Sequence, residues 1–110
     1  MKKSEQLAIN AQVLEHMQVY NNWYDSHNVS PNWKKLRSCS AEVAQIGSWY
    51  VLRSYRTIVA IIDTQTDTLY DFMRYVYGYT STSAHHIAKF DHDYGMGKWG
   101  CAKRLTYREV

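Results

Sequence analysis

The strongest pattern of apolar positions lies in the middle of the chain, between Val51 and Phe90. The run SWYVLRSY alternates two sets of side chains, whereas the next run, TIVAIID, is apolar almost throughout. Alternation is typical of a half-buried strand, and a short continuous apolar run is typical of a fully buried one. TIVAIID is therefore predicted to be the most buried strand. Between the two runs, Ser54–Thr57 forms either a tight connection or a bend in one longer strand.

Polar residues 63–67 separate TIVAIID from the run TLYDF, so these two runs are predicted to form a hairpin with a loop of four or five residues. The following run, RYVYGY, reads as another strand, in which Gly78 marks a bulge or a close backbone approach. Thr80–Ser83 then leads into a helix with Ile87 and Phe90 on its apolar side, and Gly95 ends that helix.

Apolar residues at spacings of three and four predict a helix over residues 4–24, with Ser4 as its N-cap. Val13 belongs to the apolar stripe that is expected to face the core. Gln6 and Asn10 are among the polar positions that this helix is expected to leave to the solvent.

Three shorter segments complete the chain. Ser30–Pro31 carries a helix-start signature, because Ser caps well and Pro suits the first helical position. The segment AEVAQI, residues 41–46, fits either a short helix or an edge strand. The C-terminal segment, a basic tail or a final edge strand, is the most basic part of the chain through Lys103, Arg104 and Arg108.

Together these elements predict one α+β domain with an N-terminal helix, a small antiparallel sheet of three to five strands, and one helix packed on the sheet. Residues 1–47 are predicted to be a helical lead-in, residues 48–95 the sheet and helix core of the same domain, and residues 96–110 the basic tail or edge strand. A length of 110 residues fits a single domain.

Two parts of the central region resemble a family of short proteins and domains of unknown function from tailed phages, plasmids and Gram-positive bacteria. The first part of the family pattern is matched by Ser54, Tyr55, Thr57, Val59 and Ala60, and the last part by Tyr79, Thr80, Thr82, Ser83, His86, Ile87 and Phe90. Where the family usually has Arg or Gln before the histidine of its helix start, this chain has His85. The resemblance implies a mobile-element context and brings no assigned catalytic motif with it.

The composition limits the classes of protein to consider. A formal charge of +3 permits nucleic-acid binding without demanding it, and it argues against an acidic mimic of DNA. The N-terminal stretch is too polar for a signal peptide, and no apolar run approaches the length that spans a bilayer. The host bacterial cytoplasm is therefore the expected location. In that reducing compartment Cys39 and Cys101 are expected to be thiols rather than a disulfide.

Motifs for catalysis are missing from the sequence. It contains no GxSxG elbow, P-loop, GxGxxG or HExxH motif, so the protein is predicted not to be an enzyme and to need no cofactor. His85 and His92 share a helix face, but a spacing of seven residues puts their Cα atoms about 10 Å apart. One metal ion does not bridge that distance comfortably, so no metal site is predicted.

Binding is the function that the residues favour. Basic residues alternate with aromatic ones before the last helix, whose start offers hydroxyl groups and backbone N–H groups to an anion. The candidate binding residues are Arg74, Tyr75, Tyr77, Tyr79, Thr82, Ser83, His85 and Lys89. Ordinary helix capping and packing of a tyrosine-rich sheet explain the same residues without a ligand.

We therefore expect a small non-enzymatic binding protein from a phage or other mobile element, which recognises nucleic acid or a host nucleic-acid-processing machine. One alternative is a protein that inhibits a host defence nuclease in the manner of an anti-CRISPR protein, with a nuclease or a regulator as its partner. A weaker alternative is a small metal-dependent enzyme.

Overall fold

The computed structural model describes residues 2–37, 39–76 and 81–110. The helices in these ranges are α1 (Lys3–Met17), α2 (Val19–His27), α3 (Met73–Val76) and α4 (Ser81–Tyr94). The strands are β1 (Lys34–Lys35), β2 (Ala41–Ile46), β3 (Trp49–Ser54), β4 (Thr57–Asp63), β5 (Thr68–Asp71) and β6 (Lys103–Thr106). In the described part of the chain, no helix is long and apolar enough to cross a bilayer.

The described strands form one mixed sheet whose spatial order, β1-β2-β3-β4-β5-β6, follows the chain. Neighbours pair antiparallel from β1 to β5, whereas β5 and β6 pair parallel. The α+β class is confirmed, but the prediction of a small antiparallel sheet of three to five strands is wrong. The parallel pair arises because the chain leaves β5 through α3 and α4 before it returns as β6, and such a crossover brings a strand back in the same direction.

Both faces of the sheet are covered by helices. On one face, Ile87 and Phe90 of α4 pack in a cluster with Leu52 and Ile62. On the other face, Val13 of α1 packs in a cluster that includes Ile61. The continuous apolar run of β4 is thus explained, because the strand supplies Ile58 and Ile61 to one core and Val59, Ala60 and Ile62 to the other.

The hairpin predictions hold. Register pairs Ser54 with Thr57, so the connection between β3 and β4 is a tight turn of two residues. Residues 64–67 form the four-residue loop between β4 and β5, which pair through Asp63 and Thr68. The segment AEVAQI is a strand, β2, and it lies inside the sheet rather than at its edge.

The N-terminal region differs from its prediction in two ways. The predicted helix over residues 4–24 is two helices that meet at Gln18, and Ser4 lies inside α1 because Lys2 is the N-cap residue. Residues 31–33, after Ser30, are irregular and lead into β1. The segment 1–47 therefore contributes two strands as well as helices.

The edge strand β6 explains why Gln6 and Asn10 are buried, against the expectation that both face solvent. Gln6 Nε2 donates to the Thr106 carbonyl oxygen at 3.1 Å, and Asn10 Nδ2 donates to the Arg108 carbonyl oxygen at 2.7 Å. The Arg108 N–H donates to Asn10 Oδ1 at 3.0 Å. Helix α1 thus supplies side chains where a further strand would supply backbone groups, and it closes the edge of the sheet.

The region after β5 also differs from its prediction. The run RYVYGY reads as a strand, but its first residues belong to the short helix α3. Asp71 Oδ1 accepts a hydrogen bond from the Met73 N–H at 3.1 Å, as a residue that caps a helix start does. The predicted bulge at Gly78 lies outside the described residues.

Candidate functional site

Three arginines line a pocket at one end of the sheet, between α3, the start of α4 and the end of β6. The pocket has a volume of about 310 Å³. Its lining consists of Asp71, Met73, Arg74, Ala84, Arg104, Thr106 and Arg108. All three arginines are exposed, whereas Asp71 is buried. We call Arg74, Arg104 and Arg108 the arginine cluster.

The buried Asp71 lines this pocket and accepts two hydrogen bonds from groups of the protein. Its Oδ1 atom accepts the hydrogen bond from the Met73 N–H, and its Oδ2 atom accepts one from Arg104 Nη2 at 2.7 Å. Both carboxylate oxygens are therefore engaged within the protein. The one carboxylate in the lining offsets one guanidinium, so the pocket retains an excess of positive charge.

The alternation of β6 brings Arg104 and Arg108 to one side of the strand. Arg104, Thr106 and Arg108 stand two residues apart, and all three line the pocket. The Tyr107 N–H donates to the Asp71 carbonyl oxygen at 2.9 Å, and Asn10 holds both backbone groups of Arg108. The backbone that carries Arg108 is thus fixed even though β6 ends at Thr106.

Helix α3 adds Arg74 and a tyrosine to the same end of the sheet. The buried Phe72, whose N–H donates to the Val59 carbonyl oxygen at 3.1 Å, anchors the start of α3. The Tyr75 ring meets the Tyr107 ring edge-on, with 5.1 Å between their centroids and 69° between their planes. Tyr75 is half exposed. Tyr107 packs against the core that faces α1, so this aromatic pair lies on the other face of β6 from Arg104 and Arg108.

The structure separates the candidate residues that the sequence groups together. Arg74 and Tyr75 lie at the pocket end just described. Thr82 and His85 are exposed on α4, and Lys89 is partly buried there. Ser83 is buried, so its hydroxyl group does not belong to an open contact surface. Tyr77 and Tyr79 lie outside the described residues.

Ser83 belongs to a polar network within the core. Ser54 Oγ lies 2.8 Å from His86 Nδ1 and 3.4 Å from Ser83 Oγ. Burial lowers the pKa of His86, and the charges of Lys89 and His85 lower it further. A serine beside a histidine resembles a nucleophile with its base, but Ser54 is fully buried, so its hydroxyl group is not open to solvent in this structure. The network joins the β3–β4 turn to the start of α4, and those are the two segments on which the family resemblance rests.

Arg104 and Arg108 are missing from the binding residues predicted from sequence. The signal for them is their spacing, since Arg104, Thr106 and Arg108 alternate as one face of a strand does. What the sequence lacks is the position of that strand, because its partner β5 lies more than thirty residues earlier in the chain.

Metal ligands do not come together in the described part of the chain, where no group of three His, Cys, Asp or Glu side chains is suited to hold an ion. Cys39 and Cys101 are free thiols, in agreement with the expectation from the sequence. Burial raises the pKa of the Cys101 thiol, and the carboxylates of Asp91 and Asp67 raise it further. Cys101 is therefore a protonated thiol at neutral pH.

Comparison of this chain with protein-family models, with curated proteins and with solved structures found no match. The phage and plasmid context that the resemblance implies therefore stays a prediction.

Proposed function

We propose that the protein binds nucleic acid through the arginine cluster and the neighbouring Tyr75, and that it does so without catalysing a reaction. The observation that carries this proposal is the convergence of Arg74, Arg104 and Arg108 on one open pocket. Guanidinium groups match the geometry of phosphate oxygens and donate two hydrogen bonds at once.

The balance of charge at the pocket supports a polyanionic ligand. The lining carries three guanidinium groups and one carboxylate, that of Asp71, which pairs with Arg104. The formal charge of the whole chain is +3, and three of its 13 Lys and Arg residues line this one pocket. Phosphate contacts of this kind supply most of the affinity for nucleic acid that does not depend on sequence.

The aromatic pair favours nucleic acid over a simple anion. Tyr75 follows Arg74 in α3 and is half exposed, and its ring packs edge-on against that of Tyr107. Cations that meet phosphates and rings that stack on bases are the usual combination in proteins that bind single strands. A protein partner, such as the host nuclease of the inhibitor hypothesis, would have to present an acidic surface to the same arginines.

The test is binding of fluorescently labelled oligonucleotides at about 50 mM and about 200 mM salt, measured by anisotropy. Single-stranded DNA, single-stranded RNA and duplex DNA are each used as probes. We expect binding at low salt that weakens steeply as salt rises. The slope of log K against log salt is negative. In the double variant Arg74→Glu/Arg108→Glu, the loss of two phosphate contacts makes this slope shallower by about 1.4 for single strands.

The matched control is the double variant Lys98→Glu/Lys103→Glu. It changes the net charge by the same amount but at the other end of β6. Lys103 starts this strand, about 16 Å along it from Arg108, and Lys98 precedes the strand. We expect the control to keep its salt slope within about half a unit of the parent protein. Absence of binding to every probe at low salt, or an equal loss in both double variants, would contradict the proposal.

A further inference from the structure

We infer that the turn Tyr55–Arg56 is a second part of the same interface and that Tyr55 makes the interface select single-stranded nucleic acid. This inference rests on the proposed function.

The strand directions place the turn at the same end of the sheet as the arginine cluster. Strand β4 starts at Thr57, which is three residues nearer to this end than Ala60, and Ala60 pairs with Asp71. Asp71 in turn pairs with Thr106. Because neighbouring strands lie about 4.8 Å apart and each residue adds about 3.3 Å along a strand, the turn and the end of β6 are roughly 15–20 Å apart. A few nucleotides of an extended single strand cover that distance.

The backbone of Tyr55 has a conformation that a large side chain rarely adopts. Its φ angle is +56°, at the first of the two turn residues, where hairpins usually have glycine. The turn is held in place by the Tyr55 N–H, which donates to the Ser40 carbonyl oxygen at 2.9 Å. Unfavourable backbone conformations of this kind cluster at functional sites. The chain therefore keeps a tyrosine at a position where folding alone would favour glycine.

The ring of Tyr55 is presented to the solvent and supported from below. It is 56% exposed, and its centroid lies 5.9 Å from that of the buried His86 ring. His86 is in turn held by Ser54. A supported ring with an open face suits stacking on a base.

The charges beside the ring suit the backbone of the same strand. Arg56 is exposed, and Lys35 lines a shallow cavity of about 390 Å³ together with Tyr55 and Arg56. Glu42 also lines this cavity, but its carboxylate accepts a hydrogen bond from Arg53 Nη2 at 2.7 Å. The acidic group is therefore neutralised, and Lys35 and Arg56 are the charges that a phosphate would meet.

Stacking on Tyr55 requires a base that is free of its neighbours. Bases within a duplex are already stacked and paired, so a ring on a surface turn gains nothing from them. Bases of a single strand are free to turn onto the ring. The interface is therefore expected to bind single strands more tightly than duplexes at the same salt concentration.

The test compares Tyr55→Gly and Tyr55→Phe with the parent protein on oligothymidylate, oligouridylate and a duplex of equal length. Glycine adopts positive φ readily, so Tyr55→Gly is expected to fold and to melt no lower than the parent protein. We expect it to bind both single strands at least about fivefold more weakly, with an unchanged salt slope, because stacking releases no counterions. Tyr55→Phe keeps the ring and is expected to keep the affinity. Binding of the duplex is expected to be the same in all three proteins.

The outcomes separate this inference from the proposed function. If the parent protein binds single strands and Tyr55→Gly binds them equally well, the inference is wrong and the proposed function stands. A parent protein that binds the duplex more tightly than either single strand overturns the inference in the same way. If the parent protein binds none of the probes at low salt, the proposed function itself fails.

Discussion

Replacement of Asn10 by alanine should destabilise the fold, because this side chain joins α1 to the backbone beyond β6. Asn10 is 7% exposed. Its Nδ2 atom donates to the Arg108 carbonyl oxygen, and its Oδ1 atom accepts from the Arg108 N–H and from Gln6 Nε2. In the variant, two backbone groups of Arg108 lose their partner on the helix.

The magnitude follows from the hydrogen bonds. Each contributes about 1 kcal/mol net, so the three bonds of Asn10 contribute about 3 kcal/mol. Alanine has the better helix propensity by about 0.6 kcal/mol, which offsets part of that loss. We therefore expect Asn10→Ala to lower the free energy of unfolding by about 2 kcal/mol. For a domain of this size the melting temperature then falls by about 8 °C or more.

The assay is urea unfolding followed by far-UV circular dichroism, with Asn22→Ala as the matched control. Asn22 lies within α2 and is exposed, so the same substitution there changes only helix propensity and should stabilise slightly. Amide exchange at Arg108 should also become faster in Asn10→Ala, because its N–H has lost its acceptor. Free energies of unfolding that differ by less than about 0.5 kcal/mol between the two variants would refute the reasoning.

Two further predictions concern the dependence of stability on pH. The pKa of His86 is lowered in the folded protein, so the unfolded chain binds its proton first and stability should fall as the pH drops below about 6.5. Urea unfolding at several pH values should show a weaker fall in His86→Gln. His85→Gln removes one of the charges that lower the pKa of His86, so it should reduce the fall by less. A profile for His86→Gln that is identical to that of the parent protein would contradict the role given to His86. Asp93 has its pKa lowered to about 2 by the hydrogen bonds from Arg37, so its contribution to stability is complete above about pH 4 and is lost as the pH falls towards 2. Arg37→Ala should flatten the same unfolding series between those two pH values, and an unchanged slope would show that the ion pair does not act on stability.

The parts of the fold that the sequence predicts are those that depend on neighbours in the chain. Strands β3, β4 and β5 follow from alternation or from an apolar run, and their turns connect consecutive strands. Helix α4 follows from the spacing of Ile87 and Phe90, both of which are fully buried. Each of these signals is contained within about fifteen residues, so no knowledge of distant segments is needed.

The parts that the sequence does not predict depend on distant partners. The direction of β6 is decided by a crossover through α3 and α4, which no local pattern of the tail contains. Gln6 and Asn10 face inward because a sheet edge about one hundred residues later needs hydrogen-bond partners. From the sequence alone, polar residues at those positions favour the opposite orientation.

The candidate site also depends on residues that are distant in the chain. Arg74 stands out in the sequence because it lies beside Tyr75. Arg104 and Arg108 belong to a tail that is distant in the chain, and the pairing of β6 with β5 brings that tail to the same place. The aromatic and basic composition is visible in the sequence, but the convergence of three arginines on one pocket is a property of the fold. Composition therefore indicates a class of ligand, and topology decides which residues meet it.

Carboxylates at both ends of the sheet accept hydrogen bonds from other groups of the protein. At the end of the sheet that carries the arginine cluster, Asp71 and Glu42 each accept a hydrogen bond from an arginine. Towards the opposite end, Asp67 accepts hydrogen bonds from the N–H groups of Met96 and Ala102, which precede β6. The acidic groups in each place thus make hydrogen bonds within the protein. For a protein that binds nucleic acid as proposed here, the rate of association is therefore expected to fall as salt rises.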